Sequence, residues 1–251
     1  MYDPRQRPLA LRLLASGFSI AEVHRQTGIA TSTLWNWRQN PQRAAEYTPP
    51  TCPRCHHRAL DNQAYAYLLG IYLGDGALSK THKGVYRLEV ACCDDWPGLM
   101  DLVSEAINTV MPKLSVGRAH KIGCTSVNAY SKHWPCLFPQ HGPGMKHTRA
   151  IALDSWQHEI VDQFTEEFIR GLIHSDGCRA INKVRRQLPS GERWYEYPRY
   201  FFTNASDDIR KLFTDALDQL GIAWKQSNTR VISVARRDAV ARLDEFVGPK
   251  Y

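Results

Sequence analysis

LLGIYLGDG at residues 68–76 and IRGLIHSDG at residues 169–177 are two copies of one helical signature, and their reading decides the fold. Both end in Asp-Gly, so Asp75 and Asp176 hold equivalent places 101 residues apart (176 − 75). Each copy carries small residues four apart, Gly70 and Gly74 in the first and Gly171 and Ser175 in the second, with bulky apolar residues between. That spacing puts the small residues on one helical face, where two backbones can approach closely. Packed together, the helices would bring Asp75 and Asp176 side by side at their C-terminal ends. There the helix dipole is negative and a second carboxylate is repelled. A pair so poorly placed for stability points to a bound divalent cation, whereas a single Asp-Gly would read as no more than a helix stop and turn.

The stretch after each signature repeats as well. After the first come a turn-rich segment from Leu78 to Gly84, a strand-like VYRLEVACC, a DD pair at Asp94 and Asp95, and a helical pattern from Leu99 to Val110. After the second come a hairpin turning at Pro189, Ser190 and Gly191, the stretch RYFFTNAS, a DD pair at Asp207 and Asp208, and a helical pattern from Ile209 to Leu220. Another strand pair and a short helix complete each half, which closes with GPGMK at 142–146 in one case and GPK at 248–250 in the other. The first Asp of each DD pair is separated by 113 residues (207 − 94) and the closing lysines by 104 (250 − 146). Repeats of this length, built of mixed strands and helices, predict an α+β protein of two half-domains about a pseudo-twofold axis.

These residues resemble the LAGLIDADG homing endonucleases in their single-chain, two-repeat form. Tyr72, Leu73 and His174 depart from the name-giving letters, while the terminal Asp-Gly is kept in both copies. The resemblance implies saddle-like sheets with the motif helices at the interface of repeats 61–158 and 159–251. It also implies a metal-dependent, site-specific double-stranded DNA endonuclease. Phosphodiester hydrolysis by two-metal logic needs carboxylates that hold divalent ions between the strands. Asp75 and Asp176 are the candidates, helped by the backbone carbonyls of Gly74 and Ser175, with Mg2+ or Mn2+ as the ion because the donors are hard oxygens. The family commonly places a lysine near each scissile phosphate, and by position Lys146 and Lys250 match that role.

Composition agrees with a nucleic-acid partner. The 251 residues, 43% of them hydrophobic, suffice for two packed half-domains and a small added module. A net charge of +7 favours a polyanion, since lysines and arginines that neutralise phosphates release condensed counterions. No apolar run could span a bilayer, and MYDPRQRPLA lacks the apolar core of a signal peptide, so a cytoplasmic, nucleoid-associated protein is expected. Seven cysteines, an odd number, supply no disulfide framework.

Residues 1–40 read as a separate helical module. SIAEVHRQTGIATSTLWNWR at 19–38 reads as helix, turn, helix: Ala21 and Val23, with Ile20, face inward, Gly28 permits a left-handed turn, and Ile29 plugs the corner. Thr31 or Ser32 would cap the second helix, and Leu34 and Trp37 would hold it on the core. The pattern resembles bacterial helix-turn-helix DNA-binding modules, whose second helix enters the major groove. Thr31, Ser32, Thr33, Asn36 and Arg38 are then the candidates for DNA contact.

Residues 41–60, with Pro41, Pro49, Pro50 and Pro53, read as an irregular linker. Within it, Cys52 and Cys55 of CPRCHH have the gap of a zinc knuckle, with His56 or His57 as a third ligand. A structural zinc site needs four ligands, no second CxxC exists, and the adjacent Cys92 and Cys93 are poorly placed to chelate one ion. The segment reads as a partial or remnant zinc site, and bound zinc at Cys52 and Cys55 is not expected.

Two-stranded ribbons fit the major groove. Lys80, Lys83 and Arg87 in the first half, and Arg179, Lys183, Arg185, Arg186, Arg193 and Arg199 in the second, are the ribbon candidates for DNA contact. Arg230, Arg236 and Arg237 suit phosphates, and the aromatics Trp194, Tyr195, Tyr197, Tyr200, Phe201 and Phe202 are assigned mostly to sheet packing. The chain has neither an N-terminal Cys or Ser nor a closing His-Asn pair, so a self-splicing intein is not expected. Joined to a helix-turn-helix, the chain also resembles the WhiA family of bacterial regulators, in which the module follows the core and the acidic motif is eroded. A non-cleaving, sequence-specific DNA-binding regulator is therefore the alternative. Two repeats in one chain already form a pseudo-dimer, so a monomer is expected.

Overall fold

A computed structural model describes residues 6–46, 52–189 and 191–250. The chain divides into two compact units, residues 1–49 and 50–251.

In the first unit, α1 (Arg7–Ala15), α2 (Ile20–Thr27) and α3 (Thr31–Gln39) close around Ala10, Val23, Ile29 and Leu34, with Ile20 and Trp37 packed against them. Ser19 caps α2 by accepting from the Glu22 N–H at 3.2 Å, and Gly28 ends it at φ +67°, a left-handed conformation that suits glycine. Ala21, expected inside, is exposed, because only one face of so short a helix meets α1 and α3; Thr27 takes the buried place instead. The N-cap of α3 is Ala30, without a side-chain bond, so neither Thr31 nor Ser32 caps it. The supposed linker begins with a further helix, α4 (Pro41–Glu46), packed on α1 and α3. Proline at the first helical position gives up an N–H that would have had no partner there, so Pro41 starts a helix as readily as it breaks one. Pro49 and Pro50 lie outside the described residues.

The second unit contains the two repeats. In the first, α5 (Asn62–Gly74) leads into β1 (Gly76–Lys80), β2 (Tyr86–Cys93), α6 (Pro97–Val110), β3 (Val116–Lys121), β4 (Cys124–Ser131) and α7 (Trp134–Leu137). A linking helix, α8 (Ser155–Gln163), precedes the second repeat. There α9 (Thr165–Asp176) leads into β5 (Gly177–Leu188), β6 (Gly191–Thr203), α10 (Asp207–Gln219), β7 (Lys225–Asn228), β8 (Val231–Val234) and α11 (Arg237–Asp244). The sheets are antiparallel and share one order, β1-β2-β4-β3 and β5-β6-β8-β7. The segment from Leu78, expected as turn, continues β1 to Lys80, since Leu78 is a core residue opposite Leu88. The boundary expected at 158/159 falls inside α8. At the second hairpin Leu188 pairs with Gly191, and Ser190 lies outside the described residues.

One hydrophobic core spans both repeats, centred on α5 and α9. A Cβ on Gly70 would sit 2.5 Å from the Phe168 carbonyl oxygen, and one on Gly171 would sit 3.0 Å from the Ile71 nitrogen. The two backbones touch there, as the small-residue spacing predicts. Neither glycine of the two Asp-Gly pairs has a positive φ. A Cβ on Gly76 would meet the Tyr72 Cα at 2.5 Å, and one on Gly177 the Ile173 Cα at 2.7 Å. The glycine after each aspartate therefore lets the first strand fold back against its own helix.

Candidate functional site

The glycine contact fixes where the two aspartates end up. At the C-terminal ends of α5 and α9, a Cβ on Gly74 would stand 2.5 Å from the Ser175 Cβ and 3.0 Å from Asp176 Oδ2. Burial pushes the Asp75 carboxyl up to about 6, and the neighbouring Asp176 charge adds to it. Burial raises Asp176 too, opposed by a 2.5 Å hydrogen bond from Asn204 Nδ2 and by the two lysines.

Lys146 and Lys250 both reach this place. The last carbonyls of an α-helix have no partner within it and carry its negative end, so a cation is welcome there. The Lys146 ammonium donates to the carbonyls of Tyr72 at 2.5 Å, Leu73 at 2.9 Å and Gly74 at 2.6 Å, which engages all three of its protons. Lys250 donates to Ser175 at 3.3 Å and Gly177 at 2.5 Å. Burial pulls Lys146 down to about 8 and lowers Lys250, with both carboxylates opposing. The carbonyls of Gly74 and Ser175, expected as free cation donors, thus already accept from lysines. Two carboxylates, two lysines and the helix-end carbonyls form one polar cluster, whose hard oxygen donors are of the kind that hold divalent cations.

His174 stands apart from this chemistry. It is buried, with Nε2 2.9 Å from the Val247 carbonyl and Nδ1 3.0 Å from Tyr67 Oη. The carbonyl can only accept, so Nε2 carries the proton and Nδ1 accepts from the tyrosine. Burial holds the ring neutral, down to about 4, and the bond to Val247 secures the strap that ends in Lys250.

Register separates the basic candidates into two groups, because directly opposed residues of an antiparallel pair share a face. Leu88 and Val90, like Tyr200 and Phe202, face the core. Arg87, Arg186, Arg193 and Arg199 lie on the opposite, open faces. Arg179, Lys183 and Arg185 share the face of Tyr200 and are engaged with carboxylates: Arg179 with Asp244 at 2.8 Å, Lys183 with Glu196 at 2.8 Å and Arg185 with Glu192 at 3.4 Å. Lys80 is also on the core-side face, at the exposed end of β1, and Lys83 is exposed at φ +60° in the turn before β2. Gly76 pairs with Val90 and Gly177 with Phe202, so Arg87 and Arg199 are equivalent between the repeats. In both, the Nε is buried and without a hydrogen-bond partner. Lys121, which sequence reasoning missed, joins the open face of the first sheet, 2.7 Å from Glu89, and only the sheet register could have found it.

Of the six aromatics, Tyr200 and Phe202 are buried and Tyr197 and Phe201 half-buried, while Trp194 at 60% exposure and Tyr195 at 37% project from the long hairpin. On α3, Thr31, Ser32, Asn36 and Arg38 are exposed and Thr33 is half-buried. Arg230, Arg236 and Arg237 are exposed, with Arg236 2.9 Å from Asp238. Cys52 and Cys55 belong to a different group of side chains, together with His133 and Cys136.

Two repeats joined through glycine-packed helices, each helix ending in an aspartate and followed by a four-stranded antiparallel sheet, make a LAGLIDADG-type fold. No protein-family model matches the sequence, and neither does any curated protein. Among solved structures, the chain is similar to the homing endonuclease I-DmoI in complex with DNA and Mn, at 16% identity over 76% of this chain and 99% of that one, with a TM-score of 0.48. It is similar to the LAGLIDADG meganuclease I-AabMI bound to uncleaved DNA, at 9% identity over 72% of this chain and 82% of that one, TM-score 0.46. It is also similar to the N-terminal LAGLIDADG domain of DUF199/WhiA, at 15% identity over 75% and 83%, TM-score 0.46.

Proposed function

We propose that this chain is a site-specific, metal-dependent endonuclease acting on double-stranded DNA as a monomer. The observation that carries the reading is the convergence of Asp75 and Asp176, each raised by burial and each beside a lysine, where the two repeats meet. The site lies at the ends of the strands that start both sheets, whose open faces carry Arg87 and Arg199 at equivalent places.

Asp75 and Asp176 would hold Mg2+ or Mn2+, joined by the carbonyls of Gly74 and Ser175 once Lys146 and Lys250 turn away from them. When bound, the ion supplies positive charge that polarises a phosphodiester and makes water a better nucleophile. The protein's own groups do the rest. Lys146 and Lys250 present ammonium groups whose protons can turn from the helix carbonyls towards a phosphate and offset the charge that develops on it. Arg87 and Arg199, on the open faces, would set positive charge against the phosphate backbone, Arg87 already 3.1 Å from Glu89, while Arg186 and Arg193 extend the second ribbon's contact along the groove. In the first unit, α2 and α3 act as a helix-turn-helix, with Thr31, Ser32, Thr33, Asn36 and Arg38 presented to DNA.

The test is cleavage of a randomised DNA library with Mg2+ or Mn2+ and with chelator, by the wild type and by the Asp75→Asn, Asp176→Asn double variant. Cutting at a defined site that needs the ion and vanishes in the double variant is expected. Sequence-specific binding without cutting would instead assign the non-cleaving regulator, and neither binding nor cutting would refute both.

A further inference from the structure

The partial zinc knuckle of the linker finds its missing half 78 residues away. Cys52 and Cys55 lie beside His133 and Cys136, and the ligand atoms of all four are within 4.8 Å of one another. A tetrahedral ion with Zn–S bonds of ~2.3 Å has its corners about 3.8 Å apart, so these atoms need little movement to enclose one. His133 Nδ1 is already 3.2 Å from Cys55 Sγ. We propose that Cys52, Cys55, His133 and Cys136 form a structural zinc site, separate from the oxygen cluster at Asp75 and Asp176.

Both arms of the site are set by the fold. CPRC is a turn closed by the His56 N–H donating to the Cys52 carbonyl at 3.0 Å, and Arg54, one of the two residues between its cysteines, stacks 4.1 Å over the Trp156 ring. The second arm, HWPC, starts α7: the Cys136 N–H donates to the His133 carbonyl at 3.0 Å. Trp134 between them is wholly buried and donates to the Ala129 carbonyl at 3.0 Å. Each arm is therefore anchored by a residue that is not a ligand, and each leaves two ligands separated by two residues, as zinc-binding turns do.

Neither of the histidines first considered completes the set. His56 Nδ1 accepts from the Cys52 N–H at 2.9 Å, and His57 is exposed at φ +52°. The ligand was missed because a CxxC search looks for a second CxxC, and the second pair here is HxxC.

A disulfide explains the cluster less well. All of these cysteines are free, and a bridge between any two would leave the third thiol and the imidazole gathered around nothing. Three sulfurs and one imidazole select a soft or borderline ion such as Zn2+ over Mg2+. Four protein ligands leave no open position, which makes the site structural and not catalytic. It would fasten the segment entering α5, which leads to Asp75, to the segment leaving β4, which runs on to Lys146.

The experiment is metal analysis of the full chain, purified without chelator, with cobalt substitution as a second readout. About one zinc per chain is expected, and cobalt should give the intense visible bands of a tetrahedral ion with sulfur-to-cobalt charge transfer. Cys55→Ser, at an exposed ligand, and His133→Asn should lower zinc retention by at least about tenfold, while Cys124→Ser keeps it. Chelation should lower the melting temperature of the wild type and leave that of Cys55→Ser unchanged. Wild-type zinc no higher than in Cys55→Ser, an octahedral cobalt spectrum, or the loss of two titratable thiols to a disulfide in the native protein would each overturn the proposal.

Discussion

Asp75 shows what it costs to bury a single carboxyl. Its carboxyl, ordinarily near 3.8, is raised to about 6, chiefly by burial. A carboxyl raised on folding contributes stability in full below the unfolded value and loses it as pH rises through the folded value. Asp75→Asn in chelator should therefore match the wild type below pH ~4 and exceed it by up to about 3 kcal/mol above pH ~6, as read by denaturant melts across that range. His174 titrates with the opposite sign. Held neutral down to about 4, it supports the fold in full above pH ~6.5 and loses about 3 kcal/mol as pH falls through 4. His174→Gln keeps a donor for Val247 and an acceptor for Tyr67, so the same melts should show that acid loss diminished in the variant. A variant as acid-sensitive as the wild type would remove His174 from this role. The meeting of the two Asp-Gly ends was legible from duplication and the small-residue spacing, whereas the buried place of His174 was not. Its partners Tyr67 and Val247 are brought to it only by folding.

At the scale of elements, α5 and α9 meet through backbone, so the glycines at their crossing leave no room for even a methyl group. Gly70→Ala and Gly171→Ala should each cost about 3 kcal/mol or more by chemical denaturation, because the obstructing atoms belong to the opposing main chain. Gly117→Ala, which would meet only the Asn128 side chain at 3.3 Å, should cost well under half as much. Equal losses would deny the helix pair its special tolerance. The small-residue spacing made this contact readable, since helical periodicity is local and both copies carry it. The sheets were less readable. Leu78 to Lys80 passed for turn, because a five-residue edge strand has too few alternations to declare itself against nearby glycine and lysine. The sorting of arginines by sheet face also escaped the sequence, as it depends on register with a partner strand and not on the residues themselves. Pro41 misled in the other direction, ending a supposed domain at the position where α4 begins.

Across the whole molecule, the two repeats agree in topology and differ in reach. The ribbon β1–β2 has strands of 5 and 8 residues, while β5–β6 has strands of 12 and 13. At ~3.3 Å per residue, the shorter strand of each ribbon spans about 17 Å in one repeat and about 40 Å in the other. Bound to its target, the protein should protect more base pairs on the side of the second repeat, by several pairs in a hydroxyl-radical footprint. Arg186→Ala with Arg193→Ala should shorten only that side. A footprint symmetric about the cleavage point would contradict the proposed use of the ribbons. If the proposed function holds, unequal arms also give the DNA complex a direction. A palindrome built from the half-site of the short arm would leave the long arm without its own sequence, and one built from the other half would overfill the short arm. The preferred target then has a left and a right, and whatever is done at that locus is done in one orientation.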